Sequence, residues 1–463
     1  MLQTDSDGYR EPSVSATKTQ EYVKQLLKEP KNRLALSALS TNNPASILEI
    51  PSAILRDTQT YNIAIPFEGS PVTNQRSSGR CWIFAATNIF RIAIMKAHNL
   101  SSFELSQSYL FFWDKVEKAN YFLETILDTA SEDLDGRLIS TLMESPVGDG
   151  GQWDMIVNLV SKYGLVPQTL YPDTWNAQNS RTMDKLLTTL LREDALKLRK
   201  LKSRSASSST IASAKDEMMK SVVRILTLTL GPPPPANEPF TWAYYDSSHK
   251  LHTTSISPLD LASSLTPTST IPRIRSTNVL SSFVSLVNDP RHPYNRLLTV
   301  EYLGNVYSGR PITYINVSQS VLKRAAIAML KRGDPVFFGS DVGQSSDSKK
   351  GIMDTALIDY SLGFDVSLNM TKAQRLRTGE SAMTHAMVLT AVHIDEKSGE
   401  PVRWRVENSW SADVGEKGYF VMTDAWMDEF CYQAVVDKAV LAKEVRDVLE
   451  LEPIVLKRWD PMG

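Results

Sequence analysis

A cysteine directly in front of an apolar helix pattern is the residue best suited to chemistry in this chain. Cys81 lies in NQRSSGRCWIFAATN, residues 74–88, and the apolar positions after it recur at helical spacing. The pattern predicts Cys81 in the first turn of a helix. Unpaired N–H groups and the helix dipole at that end favour negative charge, so this thiol should ionise more readily than one inside a helix. An inert buried cysteine is the alternative interpretation.

Two C-terminal strand patterns carry the partners that a nucleophilic thiol needs. AMTHAMVLTAVHID, from Ala382, is typical of a buried strand and contains His385, and VRWRVENSW, from Val402, is typical of a strand that ends at Asn408. The imidazole can accept the thiol proton and later return it to the leaving amine. The Asn carbonyl can hold the other ring nitrogen and so select the tautomer. Together the three residue types predict acyl transfer through a thioester.

Two further side chains could support this site. Gln75 precedes the cysteine by six positions, and its side-chain N–H and the backbone N–H of Cys81 can both point at the oxygen that becomes negative during acyl transfer. Trp410 follows Asn408 closely and is expected to cover the His–Asn hydrogen bond and exclude water from it. A purely structural, buried tryptophan is the alternative for Trp410.

Several ordered segments resemble the papain-like cysteine peptidases and, more narrowly, the bleomycin hydrolase family. The resemblance runs from about residue 61 to the last residue, in PVTNQRSSGRCW, FELSQSYLFFWDKVEKANYFLE, DGGQWDM, NDPRHPY, THAM, ENSW and WDPMG. It implies a two-lobed α+β fold, with a helical lobe, a β-barrel-like lobe, a large helical insertion and a C-terminal arm in the cleft. It also implies a cysteine aminopeptidase of broad specificity, acting on short peptides, amino acid amides, homocysteine thiolactone and bleomycin.

The resemblance assigns substrate binding to two glycines and to the end of the chain. Gly150 and Gly151 would let a peptide backbone approach and pair as an added strand, whereas a simple turn before Trp153 is the alternative. In this family the free carboxylate of the tail is thought to hold the substrate ammonium. Relatives continue a few residues beyond PMG, so a natural end at Gly463 would leave that carboxylate roughly 10 Å short, at about 3.3 Å per residue. Such an end predicts a weaker aminopeptidase preference. The sequence leaves open whether Gly463 is the natural end, a product of trimming or a boundary of the expressed protein.

The spacing of the predicted site requires an insertion. Cys81 and His385 are 304 residues apart (385 − 81), about twice the ~130–150 residues of simple papain relatives. We expect an N-terminal arm at 1–60, a helical lobe at 61–175 and a helical insertion at 176–295. A β-rich lobe at 296–445 and a C-terminal arm at 446–463 complete the expected order. Within this order the serine-rich segment SRSASSSTIASA predicts a loop, TWAYYDSSHKLHTT predicts a hairpin, and His98 in AHNL is expected in a loop. The segment after Trp410 departs from the family, because relatives usually have glycine where this chain has Ser411.

Composition excludes several other classes of protein. The 463 residues are 42% hydrophobic, which excludes a globally disordered chain. With two cysteines a disulfide scaffold is excluded, and the cytosol is favoured, with a mitochondrial form left open. The sequence contains no run of about 18 apolar residues, which is the length that predicts a membrane span. The paired histidines of HKLH lack further ligands at a recognisable spacing, so we expect neither a metal nor a cofactor.

Partners beyond the peptide or amide substrate follow from the resemblance alone. It implies a homohexamer whose active sites face an internal cavity, and some members bind DNA. The net charge of −2 gives no general support for nucleic acid binding. The basic run KLRKLKSR, residues 197–204, is more typical of a solvated helix face.

Overall fold

The computed structural model describes residues 14–263 and 279–463. The first 13 residues of the predicted N-terminal arm lie outside this part of the chain. The described helices are α1 Ala16–Leu26, α2 Pro30–Leu39, α3 Pro44–Ile47, α4 Pro51–Arg56, α5 Cys81–His98, α6 Gln107–Asp128, α7 Arg137–Glu144, α8 Trp153–Tyr163, α9 Trp175–Gln178, α10 Arg181–Ser203, α11 Ser208–Leu230, α12 Pro258–Ser263, α13 Val279–Ser282, α14 Gln319–Arg332, α15 Tyr360–Phe364, α16 Lys372–Thr378, α17 Asp424–Phe430 and α18 Lys443–Arg446.

The described strands confirm the predicted α+β class. They are β1 Ile63–Ala64, β2 Phe240–Tyr245, β3 Leu251–Ile256, β4 Phe283–Val287, β5 Arg296–Val300, β6 Tyr314–Asn316, β7 Val336–Ser340, β8 Ser346–Asp347, β9 Ile352–Met353, β10 His385–Ile394, β11 Pro401–Glu407, β12 Tyr419–Thr423, β13 Cys431–Asp437 and β14 Ile454–Leu456.

The chain divides into two compact units. The smaller unit comprises 14–56, as far as it is described, and Ala356–Asn369; α1 and α2 in it contain no buried residue. The larger unit comprises Asp57–Thr355 and Met370–Gly463 and contains both sheets. The predicted division into arms, lobes and an insertion stays a prediction.

One large sheet of the main unit carries the strands predicted around His385 and Asn408. Its order is β14-β5-β6-β4-β13-β7-β10-β11-β12-β9-β8, with β1 paired to β10. The central strands β4, β7 and β13 are buried along their whole length, which explains their continuous apolar sequences. β4 belongs to this sheet although it lies within residues 176–295.

The helix after the candidate nucleophile packs against this sheet. In α5, 14 of the 18 residues are buried, and the helix contacts β10 and β7. A helix that is apolar on every side must be enclosed, which agrees with its sequence. Asn99 ends it in the left-handed conformation with φ +54°. Cys81 is the first residue of α5, as predicted.

Two local predictions were wrong. The serine-rich segment SRSASSSTIASA was expected to be a loop, but the turn is short and α11 begins at Ser208. Ser207 caps that helix, because its Oγ accepts a hydrogen bond from the N–H of Thr210 at 3.2 Å. His98 was expected in a loop and is the last residue of α5, where its Nδ1 lies 2.7 Å from the hydroxyl of Tyr244.

The predicted hairpin of TWAYYDSSHKLHTT is confirmed by β2 and β3. His252 lies 2.9 Å from Asp246 Oδ2, and His249 lies in the turn with φ +58°. Within the described ranges no group of three or more His, Cys, Asp or Glu side chains could hold a metal ion.

Candidate active site

A buried polar framework holds the start of α5 in place. Asp149 Oδ2 accepts a hydrogen bond from the N–H of Gly79 at 2.8 Å, and the Asp149 carbonyl accepts one from Trp82 Nε1 at 2.7 Å. These bonds fix the residues on both sides of Cys81. The Asp149 carboxylate pairs with Lys115 at 2.6 Å, which holds its pKa well below the usual range despite burial.

The N-cap of α5 is anchored separately. Arg80 is fully buried and makes two hydrogen bonds to Asp173, at 3.0 and 2.8 Å. A bidentate pair of this kind defines the position of the guanidinium in two directions. The backbone that leads into Cys81 is therefore held from two sides.

A hydrogen bond joins His385 to Asn408, as the sequence predicts. His385 begins β10, Asn408 follows β11, and Nε2 of the ring lies 2.9 Å from Asn408 Oδ1. Oδ1 also accepts the N–H of Ser409 at 2.8 Å, so this oxygen is an acceptor and Nε2 must carry the proton. Nδ1 is consequently the nitrogen with a free lone pair.

Trp410 lies beside the imidazole. The ring centroids of Trp410 and His385 are 4.8 Å apart, with an angle of 32° between the planes. His385 is 6% exposed and Asn408 1% exposed. The histidine and its hydrogen bond are thus largely removed from water, as expected for a covering tryptophan.

Burial shifts the pKa values of Cys81 and His385 in opposite directions. Burial raises the pKa of the Cys81 thiol, and the backbone N–H groups of Ala386 and Trp82 only partly offset this effect. This burial opposes the ionisation expected from the helix start, and the comparison with a thiol inside a helix stays a prediction. Burial also lowers the pKa of His385 to about 4, against the hydrogen bond to Asn408, which favours the charged ring. Burial therefore favours the neutral form of both groups.

Gln75 is held next to this site by three hydrogen bonds. Its Nε2 donates to the carbonyl of Ser78 at 2.7 Å, its Oε1 accepts from Ser409 Oγ at 2.7 Å, and its backbone N–H donates to the Ser409 carbonyl at 2.8 Å. The second hydrogen on Nε2 is not used in these bonds. The loop of Gln75 and the segment after Asn408 are thereby tied together.

One cavity of about 260 Å³ brings five of the predicted residues together. Its lining includes Cys81, His385, Gly150, Gly151 and Gly463. The remaining three, Gln75, Asn408 and Trp410, are not among the lining residues and stand behind it. The tail is fixed beside the cavity, because the buried Met462 accepts a hydrogen bond at its carbonyl from the hydroxyl of Tyr314 at 3.2 Å.

The two adjacent glycines have different environments, which makes them a matched pair of test sites. A Cβ on Gly151 would lie 2.5 Å from the buried ring of Trp82, whereas a Cβ on Gly150 would meet nothing within 4 Å. We expect Gly151→Ala to destabilise the protein by about 1–3 kcal/mol through overpacking. Gly150→Ala should change stability by less than about 0.5 kcal/mol and raise KM by filling open cavity space. Denaturant unfolding and steady-state kinetics on both variants measure these effects. Equal losses of stability would contradict the different packing.

At the position after Trp410, where relatives usually have glycine, the backbone of this chain keeps a conformation that favours glycine. Ser411 has φ +76°, in the left-handed region that favours glycine. Its Oγ accepts from the N–H of Asp413 at 3.0 Å and donates to Asp413 Oδ2 at 2.8 Å. This local side-chain bonding helps a serine to occupy a conformation that costs roughly 1–3 kcal/mol for a residue with a Cβ.

Three residues at the site were not predicted to have a role. Asp149 directly precedes the glycine pair, so its segment was identified but the function of its carboxylate was not. Lys118 and Arg458 also line the cavity. Neither has a sequence signal, because one lies in an amphipathic helix and the other in the tail.

Some side chains of the basic run of α10 make contacts with neighbouring residues. Lys197 pairs with Asp194 at 2.9 Å, and Arg199 donates to the carbonyl of Thr129 at 3.0 Å. DNA binding by this run stays a prediction. In the described ranges, no helix has both the length and the apolar character needed to cross a membrane.

Comparisons with known proteins agree with the fold. The model of the peptidase C1-like family matches residues 13–463. Bleomycin hydrolase of Homo sapiens is 42% identical over 457 residues, covering 97% of this chain and 98% of the relative. Cysteine proteinase 1, mitochondrial, of Saccharomyces cerevisiae is 42% identical over 459 residues, covering 97% and 92%. A crystal structure of PepW from Lactobacillus rhamnosis HN001 has 41% identity and a TM-score of 0.91, covering 98% of this chain and 99% of that one. The chain therefore belongs to the peptidase C1-like family and is a cysteine peptidase with a papain-like α+β fold.

Proposed function

We propose that this protein is a cysteine aminopeptidase in which Cys81 is the nucleophile, His385 the general base and acid, and Asn408 the residue that orients the ring. The observation that carries the proposal is that Cys81 and His385 line the same cavity. The hydrogen bond between Nε2 of His385 and Oδ1 of Asn408 leaves Nδ1 of the ring free to accept a proton. The proposed substrates are short peptides, amino acid amides, homocysteine thiolactone and bleomycin, as in the family that the chain resembles.

In the proposed reaction, proton transfer accompanies nucleophilic attack, because burial favours the neutral form of both groups. Nδ1 of His385 takes the thiol proton as Sγ of Cys81 bonds to the carbonyl carbon. The proton then passes to the leaving nitrogen as the C–N bond breaks, which leaves a thioester. Water activated by the same ring hydrolyses the thioester and regenerates the thiol.

Charge that develops on the carbonyl oxygen requires donors already in position. The backbone N–H of Cys81 and the second N–H of Gln75 Nε2 are the proposed donors. The bonds of Gln75 to Ser78 and Ser409 support this role, because a donor that is fixed before the reaction needs no reorganisation during it.

The proposed restriction to N-terminal cleavage comes from the tail. Gly463 lines the cavity, and the N–H of Met383 donates to the carbonyl of Pro461 at 3.3 Å. A tail held there would close one end of the cleft and limit how much peptide extends on the N-terminal side of the scissile bond.

The products formed from one peptide distinguish the two modes of cleavage. An unblocked octapeptide should give a ladder of products that lose one residue at a time from the N-terminus, detected by mass spectrometry. The N-acetylated form of the same peptide should react at least about tenfold more slowly, roughly the contribution of one charged hydrogen bond. Internal fragments from both peptides at similar rates would instead show an endopeptidase.

We further propose that the protein is a cytosolic homohexamer, with DNA binding as an untested additional property. The apolar side chains exposed on the smaller unit support assembly, because helices without buried residues need an external partner to be stable. Tyr22, Leu26 and Leu34 are 56%, 56% and 73% exposed. Leu26→Asp together with Leu34→Asp should shift the native mass toward smaller species in light scattering. Exposed Leu228, which lies in the main unit, provides the control when changed to Asp. An unchanged mass in the double variant would contradict assembly through these helices.

A further inference from the structure

The charged side chains that line the cavity of Cys81 and His385 are of one sign. Its lining among the described residues includes Lys118 and Arg458 but no Asp or Glu. Lys118 has its three donors occupied, by Asp114 Oδ2 at 2.7 Å and by the carbonyls of Gly148 and Gly150 at 2.7 and 2.6 Å. Its charge is therefore balanced within the protein, and Arg458 is the remaining cationic side chain of the lining.

The guanidinium of Arg458 differs from those of three other arginines that are largely removed from water. Arg80 pairs with Asp173, Arg91 with Glu407, and Arg291 with Asp289 and Asp460. Each of those three charges is neutralised by a carboxylate. A buried charge without such a partner carries a desolvation cost that a bound anion would offset.

The surroundings of Arg458 contain aromatic hydroxyl groups instead of carboxylates. Its Nε is buried without a hydrogen-bond partner, and its backbone N–H, not its side chain, contacts Glu301 at 3.3 Å. Burial lowers the pKa of the guanidinium, and the groups that counteract this are the hydroxyls of Tyr121 and Tyr314. An arginine stays charged even so. The side chain therefore presents a positive fork to the cavity, beside Gly463 of the tail and with no Asp or Glu carboxylate of the described residues on it.

We propose that Arg458 is a specificity-determining residue that binds a carboxylate of the substrate. This inference rests on the proposed peptidase function and adds a substrate class to it. The carboxylate is either the side chain of Asp or Glu close to the scissile bond or the free α-carboxylate of a short peptide. Both present two oxygens in a plane, the geometry that the guanidinium fork matches.

Two pairs of peptides test the proposal and separate the two sources of the carboxylate. In the first pair, C-terminally amidated peptides differ only in Glu or Gln, placed in turn on each side of the cleaved bond. In the second, one peptide without acidic residues has a free or an amidated C-terminus. The unmodified enzyme should show a kcat/KM at least about tenfold higher for the carboxylate member of one pair, the usual size of a charged hydrogen bond. The pair that shows the difference identifies the source.

Variants of Arg458 assign the preference to its side chain. Arg458→Gln should reduce the ratio of kcat/KM values within a pair to about one, by slowing only the carboxylate peptide. Arg458→Lys should retain part of this preference, because the charge stays but the planar fork is lost. Arg324→Gln, on the exposed face of α14, is the matched control and should leave the ratio unchanged. The proposal is overturned if the unmodified enzyme shows no preference in either pair or if Arg458→Gln slows both members equally. It is equally overturned if the variant alters only the preference for free over acetylated N-termini, since Arg458 would then act on the tail. Hydrolysis of the Gln peptide by the unmodified enzyme tests the peptidase function independently.

Discussion

Cys81→Ala is expected to lower kcat for a fluorogenic amino acid amide by at least about 10³-fold, because no other group in the cavity replaces the nucleophile. The alanine removes only the sulfur from the first turn of α5. The hydrogen bonds of Asp149 to Gly79 and Trp82 remain, so the helix should start at the same place. Steady-state kinetics with the variant, together with circular dichroism to confirm folding, measures the effect.

The second cysteine provides the matched control. Cys431 is fully buried in β13 and does not line the cavity of Cys81. Cys431→Ala should therefore retain hydrolysis, although removal of a buried sulfur costs some stability. Intact mass after brief treatment with iodoacetamide should show one adduct in the native protein and in Cys431→Ala, and none in Cys81→Ala. Full hydrolysis by Cys81→Ala would refute the mechanism.

His385→Ala is expected to produce a loss of similar size, at least about 10³-fold in kcat/KM. Burial raises the pKa of the thiol, so without the imidazole there is no base to remove its proton at neutral pH. The pH profile of kcat/KM for this variant should also lack its acid limb. In the unmodified enzyme kcat/KM should fall as the pH drops through about 4, because protonated His385 has no lone pair to accept the thiol proton.

Asn408→Ala separates orientation from proton transfer. The bond to Asn408 favours the charged ring, so its loss should lower the pKa of His385 further and move the acid limb to lower pH. At the same time kcat should fall by at least about tenfold, because the tautomer with a free Nδ1 is no longer selected. Thr378→Ala, at an exposed helix end, serves as the control. An acid limb that moves upward in Asn408→Ala would contradict the role given to this hydrogen bond.

Local sequence signals predicted most of the framework of the site. The apolar run after Cys81 is buried on nearly every side, and the strand patterns with His385 and Asn408 form β10 and β11 of the large sheet. Hydrophobic periodicity reports which faces must leave water, so it predicts these elements well. It failed in the serine-rich segment, because serine favours a loop and a helix N-cap alike, and only the residues after Ser207 decide between them.

The sequence by itself determined which reactive groups this protein has and which helix and strands carry them, because residue type and periodicity are local properties. Only the tertiary structure decided how burial shifts the pKa values of Cys81 and His385, the different environments of Gly150 and Gly151, and the position of Arg458 in the cavity with its Nε lacking a hydrogen-bond partner. Each of these depends on burial and on neighbours distant in the chain. Desolvation and close contact act through space, so they appear only when the folded chain brings those residues together.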